Sequence, residues 1–165
     1  MPRSLATALI AVALVAAAPL ARAAVVETVH VVVTGGPNAG TYDVSSERGG
    51  CTYGFVGLDS WGNQLSNPKD KDPKHFNSLQ LIVPSTKKAA AGTGEFYISF
   101  GFGPLMNRSK EWKIETRSGE KKSGSGTVTV ADHGTTAKVT FNVMSSDNVK
   151  FNGTIDCKSV MRAGN

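Results

Sequence analysis

The chain has 165 residues, with 18 Lys+Arg against 13 Asp+Glu, two Cys, 18 Gly and 7% aromatic residues. That length suits one domain burying roughly two-thirds of its unfolded surface in a single core. It excludes a multidomain enzyme, a polytopic membrane protein and a disulfide-dense miniature scaffold, and 40% apolar with 19% charged residues excludes wholesale disorder.

Residues 1–23 read as a cleaved signal peptide. Met1-Pro2-Arg3 is a short positive start, Leu5 to Leu20 carries no charge, and Ala21-Arg22-Ala23 offers the small-x-small pattern a signal peptidase accepts. A cut after Ala23 is favoured over one after Ala18, because Pro19 would follow the scissile bond. An uncleaved anchor is the weaker reading, since the run is shorter than the roughly 20 residues of a spanning helix and rich in Ala. No Cys stands near the cut to carry a lipid, and no later segment reaches spanning length. The expected product is an exported protein, periplasmic or extracellular, with no transmembrane segment. Losing Arg3 and Arg22 leaves it 16 basic residues against 13 acidic ones.

Beyond Ala23 every strong periodicity is two. Val29, Val31 and Val33 alternate with His30 and Val32, and the Gly/Pro-rich residues 35–40 break this strand from Thr41-Tyr42-Asp43-Val44. Cys51, Tyr53 and Phe55 share one parity. Residues 58–77 show no alternation and read as a long loop, with Trp61 beside Gly62 and Asn63, two Pro and the alternating charges of 69–74. Loops of such length inside a compact domain tend to carry function. Phe96, Ile98, Phe100 and Phe102 then alternate with Tyr97, Ser99 and Gly101. Residues 118–125 have the composition of a flexible hairpin tip. Asp132-His133-Gly134 reads as a tight loop between strands at 126–131 and 135–143, and Val149, Phe151, Ile155 and Cys157 share the last parity. Such alternation sends one set of side chains to a core and the other to water. No stretch of ten residues shows a helical face. About eight or nine strands are expected, in an all-β antiparallel β-sandwich or flattened barrel forming one domain over residues 24–165.

In an oxidising compartment two Cys form one disulfide, here Cys51–Cys157. Both thiols lie on inward parities, as a buried bridge requires. The bond would close a loop of about 100 residues, for which the chain-entropy account gives on the order of 4–5 kcal/mol. A zinc site needs about four ligands, and His30, His75 and His133 are scattered, so no metal and no cofactor is expected. Gly92-Thr93-Gly94 and Gly101-Phe102-Gly103 begin like dinucleotide loops, but Tyr97 and Met106 stand where the next Gly is needed. The chain has no phosphate-cradling loop, nucleophile elbow or zinc-protease motif. Asp70 and Asp72 offer calcium oxygens, which Lys69, Lys71 and Lys74 oppose.

The most distinctive stretch is 105–122, where Arg108, Lys110, Lys113, Arg117, Lys121 and Lys122 face only Glu111, Glu115 and Glu120. One reading is a contact surface for an anionic partner; the other is a strand with a solvated, charge-protected edge. Trp61 has two readings as well, an aromatic contact for a sugar or protein, or a cap on the open end of the sandwich. The leading expectation is an exported, non-enzymatic binding module whose contacts are Trp61, Arg108, Lys110, Lys113, Lys121 and Lys122. Its partner would be a protein, glycan or other anionic envelope component and not nucleic acid. The alternatives are a small hydrolase or lyase assembling a His/Asp/Ser site in space, and a carrier holding an apolar ligand in its interior.

Overall fold

Eleven strands and one short helix make up residues 24–164, the part of the chain that the computed structural model describes; the expected signal peptide lies outside the described residues. The strands are β1 (Glu27–Thr34), β2 (Gly40–Ser46), β3 (Gly49–Tyr53), β4 (Trp61–Ser66), β5 (Phe76–Val83), β6 (Tyr97–Phe102), β7 (Lys110–Glu115), β8 (Gly124–Asp132), β9 (Ala137–Ser145), β10 (Lys150–Cys157) and β11 (Val160–Arg162), with α1 (Thr86–Ala90) between β5 and β6. They form two sheets, ordered β2-β1-β10-β9-β8 and β11-β3-β4-β5-β6-β7. The fold is thus an all-β sandwich. Pairing is antiparallel except where β11 joins β3 in parallel.

The number of strands exceeds the expected eight or nine, and the excess has a physical cause. Residues 58–77 are not one loop: β4 lies within them and β5 begins at Phe76. In β4, Trp61, Asn63 and Leu65 point inward while Gly62, Gln64 and Ser66 point outward. A polar residue at the middle inward position hides the alternation. Residues 118–125 are likewise no hairpin tip, because β7 and β8 belong to different sheets and this segment crosses between them.

The two sheets cross steeply. At the start of β8 a Cβ on Gly124 would stand 3.0 Å from Ile114 of β7, while Asp132 at its end accepts a hydrogen bond from Arg162 of β11. One strand of the first sheet therefore spans the second from edge to edge. Nine residues reach about 30 Å, enough to cover the five spacings, about 24 Å, of a six-stranded sheet. Between the sheets the Phe100 and Phe151 rings stack at 4.2 Å, with Phe141 tilted on Phe100 and Trp112 on Phe151. All four are buried. Cys51 and Cys157 are joined, with their Cα atoms 6.0 Å apart, and tie β3 of one sheet to the end of β10 in the other.

Candidate functional site

Trp61 requires a correction. It is not a loop aromatic but the first residue of β4, opposite Tyr53 and Val83, and it is fully buried. A side chain with no exposed surface touches no sugar or partner, so Trp61 belongs to the core. The basic residues of 105–122 are exposed apart from the half-buried Arg117, but they do not converge. Arg108 lies in the β6–β7 turn and pairs with Glu111 at 2.7 Å, and Lys113 pairs with the other oxygen of the same carboxylate at 3.0 Å. Glu111 accordingly holds the Lys113 ammonium above its usual range. Lys110 covers the Trp112 ring at 4.2 Å. Lys121 and Lys122 follow the opposite end of β7, a strand about 20 Å long. The charge surplus is drawn out along an edge strand, with its middle neutralised by Glu111.

The histidines stay apart. His30 Nδ1 lies 2.7 Å from Asp43 Oδ1 on the open face of the first sheet, and His75 Nδ1 lies 3.0 Å from Asp70 Oδ2 in the β4–β5 loop. His133 occupies the β8–β9 turn. All three are exposed, and no serine hydroxyl bonds any of them among the described residues. Nor is any group of three His, Cys, Asp or Glu among the described residues arranged to hold a metal ion.

A different surface emerges from strand direction. In the antiparallel run β3 to β7, the β3–β4 turn, the β5–β6 connection with α1 and the β7–β8 crossover all leave the sheet at the same end. The β3–β4 turn opens at Gly54, whose φ of +82° suits only glycine comfortably. It carries Phe55, Val56 and Leu58 into solvent at 59%, 73% and 96% exposure. Its backbone is held nonetheless. The buried Ser60 hydroxyl donates to the Gly57 carbonyl at 2.8 Å and accepts the Val56 amide at 3.1 Å, and the Gly54 amide donates to the Ser60 carbonyl at 2.9 Å.

Asp59 then locks the turn to the helix. Its carboxylate accepts from the Ser85 hydroxyl at 2.7 Å and from the Lys87 amide at 3.3 Å, and its carbonyl accepts the Thr86 amide at 2.7 Å. Lys87 and Lys88 on α1 face solvent. Next to them, Glu95 accepts the Ser118 amide at 3.0 Å and the Ser118 hydroxyl. These bonds first, and the Lys122 and Lys88 ammonium groups behind them, hold the Glu95 carboxyl below its ordinary value. One carboxylate thus brings the α1–β6 connection and the β7–β8 crossover together. Arg117 of that crossover is spent on Glu115 at 2.6 Å. Lys87, Lys88, Lys121 and Lys122 have no ion-pair partner within 4.0 Å among the described residues.

Compared with known proteins, the chain matches no family model, no curated protein and no solved structure.

Two clefts lie elsewhere. One of about 310 Å³ is bordered by Ser45, Ser46, Arg48, Asn67 and Lys69 at the opposite end of the second sheet. Another of about 120 Å³ sits on that sheet's outer face, among Gln64, Gln80, Ser99, Arg108 and Glu111. Neither is lined by the Val and Phe set of the interior. Of the exposed predicted contacts, only Lys121 and Lys122 fall on the end that bears the apolar turn; Trp61 is at that end but buried. Phe55, Val56, Leu58, Lys87 and Lys88 were not singled out in the sequence. Phe55 continues the inward parity of Cys51 and Tyr53, and the available signal was Gly54 and Gly57 bracketing a two-residue apolar turn.

Proposed function

We propose that the protein is an exported, non-enzymatic binding module of the cell envelope or extracellular space, and that it engages an anionic partner with the end of the sandwich bearing the β3–β4 turn, α1 and the β7–β8 crossover. The observation carrying this reading is the turn itself: three large apolar side chains stand in water on a hydrogen-bonded backbone, beside lysines that have no ion-pair partner among the described residues. Scattered exposed apolar residues need no explanation, but a contiguous group on a rigid loop is what interaction sites present. A hydrolase or lyase would need a base and a nucleophile sharing one cleft, whereas these histidines are separate and open. A carrier would need a lumen where Phe100, Phe141 and Phe151 pack together.

Co-sedimentation with envelope fragments of the producing cell tests the reading. The intact protein is expected to pellet with the fragments, and a variant carrying Phe55→Ser, Leu58→Ser, Lys121→Glu and Lys122→Glu to remain in solution. Equal pelleting of the two would refute the assignment of this end as the contact surface.

A further inference from the structure

We infer that the partner is a lipid bilayer containing anionic headgroups, into whose interface the β3–β4 turn inserts Phe55, Val56 and Leu58 while the neighbouring lysines meet lipid phosphates. This inference rests on the binding-module reading and names its partner.

Shape is the first ground. Leu58 at 96% and Val56 at 73% exposure project into solvent from the turn. A folded protein partner needs on the order of 800 Å² of matched surface on each side, with its own apolar anchors in pockets, and three projecting side chains fall well short of that area. A bilayer asks for no matched surface, only for apolar groups that reach the acyl boundary.

The second ground is charge. A single myristoyl chain gives only marginal, reversible attachment, so a small apolar insertion needs a second signal. Lys87, Lys88, Lys121 and Lys122 supply it on the same end of the sheet, and none is held by an ion pair among the described residues. Of the nearby carboxylates only Glu115 is neutralised, by Arg117; Asp59 and Glu95 accept from neutral groups of Ser85, α1 and Ser118 and keep their charge, and the four lysines outnumber them. Glu120 acts on Arg117. Lysines flanking an inserting tip attract an anionic surface within a Debye length and snorkel their stems along the interface.

The third is order. Asp59 and Ser60 hold the turn before any contact, so insertion costs little loop entropy.

Protein-free vesicles of phosphatidylcholine with and without phosphatidylglycerol test this. The protein is expected to bind the anionic vesicles and to lose about tenfold or more in affinity on neutral ones or at raised salt. Phe55→Ser with Leu58→Ser, and separately Lys87→Glu with Lys88→Glu, are each expected to weaken anionic-vesicle binding about tenfold or more. All four positions face solvent, so unchanged thermal melting is expected and separates lost binding from lost folding. Hydrogen exchange gives a second readout: amides at 54–60 are expected to slow on vesicle binding. Pelleting with envelope fragments but not with anionic vesicles overturns the lipid inference and leaves a protein or glycan partner. Failure in both assays overturns the binding-module reading too.

Discussion

Glu27 opens β1 with its side chain turned inward, opposite Ser46 and Cys157, and it is fully buried. Burial drives its carboxyl up from 4.5 to about 7, and the hydrogen bond donated by the Asn63 amide offsets only part of that. Among the described residues its Oε1 and the Asn63 Oδ1 are both buried without a partner, and a neutral carboxyl carries an O–H that can donate. The consequence for stability has a definite sign. Below 4.5 the group is neutral in folded and unfolded chains alike. Between 4.5 and about 7 the unfolded chain releases a proton that the folded chain keeps, so stability falls as pH rises. Above about 7 the loss levels off near 3 kcal/mol, the free-energy equivalent of that displacement. Glu27→Gln is expected to remove this slope: urea unfolding at about pH 8 should find the variant more stable than the parent, and at about pH 5 the two should differ little.

Gly153 shows how tightly one strand constrains a position. It sits on β10 between Val31 and Phe141, and an added Cβ would stand 2.7 Å from the Phe141 ring and closer still to the His30 carbonyl. Gly153→Ala is expected to cost about 1–3 kcal/mol in denaturant unfolding, since central strands packed from both sides have no room to yield. At the other end of the molecule, Asp59 is the pin between the β3–β4 turn and α1. Asp59→Ala removes the acceptor of Ser85 and of the Lys87 amide. It should cost about 1 kcal/mol and speed hydrogen exchange at 55–58 and at 86–88, while the core strands keep their protection. Strand by strand, the alternation in β1, β6, β9 and β10 was legible because each has an apolar inner row. It was not legible in β4, where Asn63 faces inward to meet Glu27. The parity of Phe55 misled because a turn, unlike a strand, does not preserve the facing of the residues before it.

The buried disulfide and the β11 strap at one sheet edge join the two sheets. Cys51–Cys157 links positions 106 apart, and Arg162 bonds Asp132 and the Gly134 carbonyl while its guanidinium lies 4.8 Å over the Tyr53 ring. Replacing both cysteines by alanine is expected to lower unfolding free energy by about 2–5 kcal/mol, as is reduction of the parent protein, measured by urea titration with and without reductant. Sequence alone determined the all-β class, the inward rows of most strands and the pairing of the two cysteines. All three follow from local alternation and from there being only two thiols. Which loops share one end was decided only by tertiary structure, because loop neighbours follow from the order of strands in a sheet and no local pattern records that order. The same long-range packing withdrew Trp61 into the core, split the basic run along β7, and set Phe55, Val56 and Leu58 on one end with lysines about 30 to 65 residues further along the chain.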